Sequence, residues 1–172
     1  SISGQVSNLT MTSSTTSVWY YDWNVPDSFN GEATATVTGT DLAGNPYSGT
    51  DSITYIIDNT LPTVLLSDTN SDNMITNSNQ VTITATFSEP MTVTPTISIS
   101  NVITNAVMTA TSSTSVWIYP WVVSTTYNGV VSATVSGKDL ARNSYSGGES
   151  LSFNLYTKVP EIVSLSINNL NN

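Results

Sequence analysis

The chain has 172 residues, room for one or two ordinary domains, with twelve acidic and three basic side chains, a net charge of −9, and neither cysteine nor histidine. Lys138, Arg142 and Lys158 are too few and too scattered to neutralise a run of phosphates, which excludes nucleic acid as a partner and disfavours an anionic membrane surface. The missing Cys and His remove disulfides, thiolate and imidazole metal sites and the commonest nucleophile and base, leaving oxygen donors for any bound ion.

Only 9% of the residues are charged against 38% hydrophobic, and the polar remainder is mostly Ser, Thr and Asn, a surface that suits strands. No apolar run reaches the roughly 18 residues of a membrane span. The opening at Ser1, with neither a methionine nor a signal-peptide core, reads as a processed or excised segment.

In chain order, residues 1–60 carry an aromatic strand, Ser17-Val18-Trp19-Tyr20-Tyr21-Asp22-Trp23, then Asn30-Gly31, Ala35-Thr36-Val37, and the turn Asp41-Leu42-Ala43-Gly44-Asn45 before Tyr47-Ser48-Gly49. All return about 98 residues later as Ser115-Val116-Trp117-Ile118-Tyr119-Pro120-Trp121, Asn128-Gly129, Ala133-Thr134-Val135, Asp139-Leu140-Ala141-Arg142-Asn143 and Tyr145-Ser146-Gly147. Ser1-Ile2-Ser3 and Met11-Thr12 match Ser98-Ile99-Ser100 and Met108-Thr109 after a one-residue length change, and Leu61-Pro62 matches Val159-Pro160. Residues 1–60 are therefore expected to be the C-terminal part of one repeat, 61–158 a complete repeat and 159–172 the start of a third. A period this long implies a string of domains, each burying its own core.

Within residues 61–158, alternating apolar and polar residues between turn signals predict strands at Thr63–Ser67, Gln80–Ser88, Thr94–Ser100, Ala106–Thr111, Ser115–Val123, Gly129–Gly137 and Glu149–Tyr156. Seven strands in this length predict an all-β chain of tandem immunoglobulin-like β-sandwich repeats. The expected core is Val81, Ile83, Phe87, Ile97, Trp117, Tyr119, Trp121, Val135 and Phe153. Pro120 cannot donate to a ladder and is expected at an edge or bulge.

The Trp-x-Tyr-x-Trp strand, the Asp-Leu-Ala-Gly-Asn turn and the Leu-Pro-Thr-Val start at Leu61 resemble the bacterial Ig-like repeats of giant secreted surface adhesins, including those of Bacteroidetes gliding motility. The resemblance runs over essentially the whole chain, and the second turn departs from it with Arg142 in place of Gly. It implies an extracellular, outer-membrane-associated location at the cell surface, secretion through an outer-membrane pathway, and display in long tandem arrays. Such arrays are often stiffened by Ca2+ at domain junctions.

Two sets of oxygen ligands are candidates for a structural Ca2+. Asp68, Asn70 and Asp72 place side-chain oxygens on alternate residues of one loop, a spacing that serves either an ion or a series of Asx turns. At the junction, Glu89 and Asp139 are expected at one pole of the second repeat, and Asp27 and Asp58 at the exit of the first. Four converging carboxylates would repel unless a cation relieved them, although Asp139 also suits a cap of its own turn. Glu89 and Asp139 are the paired carboxylates a glycosidase would need, but strand-connecting loops of a small sandwich offer them no large cleft, and no enzyme is expected. Asp51-Ser52-Ile53 fits a short O-glycosylation acceptor and Asn8-Leu9-Thr10 an N-glycosylation sequon.

The aromatic rows Trp19, Tyr21, Trp23 and Trp117, Tyr119, Trp121 each share one strand face, where they serve either as core or as a platform for sugar rings. The reading that joins these features is a structural stalk repeat of a long adhesin, projecting a distal binding region and transmitting force, in gliding motility on the family resemblance. Its expected partners are neighbouring Ig-like repeats, surface glycans and other cell-surface proteins. The alternative is a glycan-binding Ig-like module. The linker Asp58-Asn59-Thr60-Leu61-Pro62 is short, and Pro62 stiffens it.

Overall fold

The computed structural model describes residues 1–166 and contains strands and turns with no helix among them, as the Val, Thr, Ser and Asn content dictates. The predicted beginning of a third repeat lies partly outside the described residues. Contacts divide the chain into two compact units, Ser1–Thr60 and a second beginning at Leu61.

Unit 1 holds two separate antiparallel pairs. β1 (Thr12–Ser13) pairs with β2 (Trp19–Tyr20), and β3 (Gly31–Thr36) pairs with β4 (Ser52–Ile57) from Gly31↔Ile57 to Thr36↔Ser52. The other edge of β3 meets the first residues of the chain: Ile2 bridges to Ala35, and the Ser1 ammonium donates to the Thr36 carbonyl at 2.9 Å. Ile2 and Ala33 are its only buried hydrophobic residues among those described.

Unit 2 comprises β5 (Val64–Asp68), β6 (Met74–Ile75), β7 (Gln80–Phe87), β8 (Met91–Ile99), β9 (Ile103–Val107), β10 (Thr109–Ala110), β11 (Val116–Val122), β12 (Asn128–Asp139) and β13 (Leu151–Tyr156). They form a four-stranded sheet in the order β10-β11-β7-β5 and a five-stranded sheet in the order β6-β13-β12-β8-β9. One core joins the two in a sandwich-like arrangement. Val81, Ile83, Ala85 and Phe87 alternate inward along β7, and Ile97, Val131, Ala133, Val135, Phe153 and Leu155 line the other sheet. Across the gap the Trp121 and Phe153 rings meet edge to face, centroids 5.9 Å apart.

Of the predicted core, every residue is buried except Tyr119, which is half-buried and packs against the cluster. Trp117 and Trp121 face inward, and the Trp117 indole N–H donates to the Thr114 carbonyl at 3.0 Å, satisfying its one polar atom. β10 pairs only with Trp117 and Ile118, so at Pro120 strand β11 has a neighbour on the β7 side alone, where the missing N–H costs nothing.

Two details differ from the alternation pattern. The single strand expected over Ala106–Thr111 is two, with β9 in one sheet and β10 in the other. Met108 lies buried at the crossover, its N–H held by the Pro95 carbonyl at 3.0 Å. The two-residue β6, parallel to β13, has no counterpart in the expected strands because it is too short to show a period.

Candidate metal centre

The Asp-Leu-Ala turn is built the same way in both units, and its last-but-one residue is left-handed: Gly44 at φ 86° and Arg142 at φ 72°. In unit 1 the Asp41 N–H donates to the Asn45 carbonyl at 2.9 Å. Asp41 Oδ1 accepts the Ala43 and Asn45 N–H groups at 2.8 Å each, and Oδ2 accepts the Asn45 amide, also at 2.8 Å. Donation from the Asn45 side chain and backbone, and more weakly from Ala43 and Gly44, holds the Asp41 carboxyl below its ordinary value.

In unit 2 the Asp139 N–H likewise donates to the Asn143 carbonyl at 3.1 Å, and Asp139 Oδ1 accepts the Asn143 N–H at 2.8 Å. The surroundings differ. Asp139 ends β12 opposite Met91, at a register shift, and its side chain is wholly buried. Its Oδ2 has no hydrogen-bond partner. The Thr92 hydroxyl donates to the Asp139 carbonyl, tying β8 to this corner.

Glu89, half-buried in the β7–β8 turn, brings a carboxylate oxygen within 4.8 Å of one from Asp139. A buried carboxylate oxygen with no donor is costly, and a second carboxylate beside it adds repulsion. A hard cation relieves both. The donor set is all oxygen, with two negative charges, and so suits Ca2+, which takes six to eight oxygens in adaptable geometry. Glu89 and Asp139 are the residues of unit 2 that would hold such an ion.

The other expected ligands belong to unit 1 and to the β5–β6 loop. In unit 1, Asp27 is exposed in the turn closed by the Phe29 N–H on the Pro26 carbonyl, and half-buried Asp58 accepts the Thr60 N–H at 3.0 Å. Along the β5–β6 loop each side-chain oxygen accepts the backbone N–H two residues ahead: Asp68 from Asn70 at 2.7 Å, Asn70 from Asp72 at 3.3 Å and Asp72 from Met74 at 3.0 Å. This is a run of Asx turns, the second of the two uses that the spacing allows.

The Thr92 hydroxyl was outside the sequence reading, since nothing in a Thr-rich chain marks one threonine. The difference between Asp41 and Asp139 was equally hidden, because their motifs are nearly identical and only the packing above them differs. In unit 1 Trp19 and Tyr21 are exposed and Trp23 is half-buried. Searches with protein-family models and against curated proteins give no match to this chain.

Proposed function

We propose that the chain is a stretch of tandem immunoglobulin-like repeats from the stalk of a long, secreted bacterial cell-surface adhesin, with gliding motility as its setting. It holds a distal binding region away from the cell and bears load along its length. The observation that carries the reading is the period of about 98 residues, whose one full copy closes two sheets around a single core. A module that repeats at this length and buries its own core is suited to serial extension. The wholly buried Asp139 argues against a substrate reaching the Glu89–Asp139 carboxylate pair, which favours a structural ion there over hydrolysis.

The decisive experiment is single-molecule pulling on the chain by its ends. Unit 2 is expected to give one cooperative rupture with a contour gain of about 300 Å, from roughly 3.3 to 3.6 Å per extended residue. Gradual extension without a rupture would remove the stalk reading. The glycan-binding alternative draws on exposed Trp19, Tyr20 and Tyr21. A glycan-array signal that Trp19→Ala abolishes would put that reading in place of the stalk.

A further inference from the structure

In repeat register, the inward face of the β3–β4 hairpin in unit 1 corresponds to the inward face of β12 and β13 in unit 2, yet beyond buried Ala33 and half-buried Ala35 it is bare. Val37 is 51% exposed where Val135 is 8%, and Tyr55 is 52% exposed where Phe153 is fully buried. In unit 2 the cover comes from residues that precede β9. Phe87 seats its ring edge-on against Tyr145, centroids 6.1 Å apart, and Met91 reaches over Gly137 to 2.8 Å from where a β-carbon would stand. At the matching Gly39 of unit 1 nothing lies within 4 Å of that point. Instead an open, mostly apolar groove of about 420 Å³ runs between Ala35, Val37, Gly39, Tyr47 and Ile53.

The backbone is prepared in the same register. Ile2 bridges to Ala35 as Ile99 pairs with Ala133, so Ser1–Ser3 already sits where the end of β8 sits in unit 2. The Ser1 carbonyl accepts the Thr36 N–H at 2.9 Å; β3 ends at Thr36, and residues 37–39 carry the chain on with no strand beside them. An unpaired edge next to an apolar face accepts an added strand.

We propose that unit 1 is a receptor for the front part of a repeat of this same kind, a polypeptide patterned like Leu61–Ile97. Its Phe87-equivalent ring fills the groove at Tyr47, and its Met91-equivalent caps Gly39. The commitment to this occupant rests on the fact that unit 2 covers the corresponding face with just these residues.

The test adds a synthetic peptide of residues 61–97 to the whole chain and follows hydrogen exchange. Saturable binding is expected, with slowed exchange at 31–36 and 52–57. The affinity should fall at least about tenfold for a peptide carrying Phe87→Ala and for a chain carrying Val37→Asp. Because such a peptide can self-associate, residues 61–97 are also grafted directly ahead of Ser1. The graft should give unit 1 a cooperative melting transition and shift Trp19 fluorescence to the blue. Unchanged exchange at 31–36 and 52–57 in the graft would overturn the proposal. So would peptide protection confined to unit 2, which signals strand exchange. Self-association of the untreated chain that disappears on deletion of residues 159–172 would assign the groove to the tail of a second copy and likewise overturn it.

Discussion

Residues 17–49 of unit 1 and 115–147 of unit 2 share an aromatic strand, a hairpin strand and a turn at matched positions, but their apolar side chains meet different fates. Trp117, Trp121, Val123 and Val135 are buried, whereas Trp19, Val25 and Val37 are exposed and Trp23 is half-buried. The strands are also shorter in unit 1, where β2 has two residues against seven in β11 and β3 has six against twelve in β12. What differs as well is whether β5, β6 and β7, or their equivalents, are there to complete the two sheets. Burial in a sandwich belongs to a pair of sheets, so a strand's alternation states which face wants cover without supplying it.

The comparison is sharpest at Phe153 and Tyr55, which hold the same register position. Phe153→Ala should destabilise unit 2 by about 3 to 5 kcal/mol. Tyr55→Ala should cost unit 1 under about 1 kcal/mol, as exposed substitutions do. Hydrogen exchange in increasing urea, read separately at 151–156 and 52–57, measures both; equal losses would mean the two faces are equally covered in solution.

Calcium should distinguish the two turns. If Glu89 and Asp139 hold an ion, calcium at a hundred times its dissociation constant should stabilise unit 2 by about 2.7 kcal/mol. Asp139→Asn should abolish that response, and Asp41→Asn, in a turn whose carboxylate oxygens are already satisfied, should leave it intact. Identical melting curves in calcium and in chelator would eliminate the ion.

A smaller contrast lies at the Tyr-Ser-Gly segments. A β-carbon at Gly147 would stand 2.5 Å from the Tyr145 hydroxyl, and one at Gly49 would stand 2.1 Å from that of Tyr47. Tyr145 is pinned by the Phe87 ring and accepts the Glu149 N–H at 3.1 Å, so Gly147→Ala should cost about 1 to 3 kcal/mol. Tyr47, nearly half exposed, donates its hydroxyl to Asp51 Oδ2 at 3.0 Å, a surface bond that it can exchange for water by swinging aside, and Gly49→Ala should cost less despite the shorter distance. Thermal melts of the two variants give the order.

The mildest effect concerns the left-handed residue. Arg142→Gly should raise the stability of unit 2 by about 1 kcal/mol by relieving the β-carbon clash, and Gly44→Arg should lower that of unit 1 similarly. Melting temperatures check both, and a loss on Arg142→Gly would show that the arginine side chain contributes more than its backbone strain costs.

Much of the second sheet was legible because Val131, Ala133, Val135, Phe153 and Leu155 alternate with polar residues over runs long enough to show a period. The β9–β10 crossover was not, since Ala106 to Thr111 contains no Gly, Pro or Asn to mark a break, and the division between sheets falls at Met108, whose N–H is held by the Pro95 carbonyl. The acidic pair was anticipated by placing Glu89 and Asp139 at one pole of the repeat. The unpartnered Oδ2 was beyond such reasoning, because it depends on side-chain packing around a turn whose sequence twin leaves no oxygen unsatisfied.

The short β6 has a mechanical consequence. Once β5 has parted from β7, tension applied through the two ends of unit 2 pulls the segment around Met74 and the strand β13 in opposite senses along their common axis. The contacts that join them, the Asn154 N–H on the Asn73 carbonyl at 2.8 Å, the pairing of Leu155 with Ile75, and the Asn77 amide on the Thr157 carbonyl at 3.0 Å, then lie side by side across the load. They are sheared together instead of peeled one at a time, so the barrier to rupture is set by their joint loss. A pair of residues too short to register as a strand in the sequence would thus govern how long unit 2 survives under an applied pull.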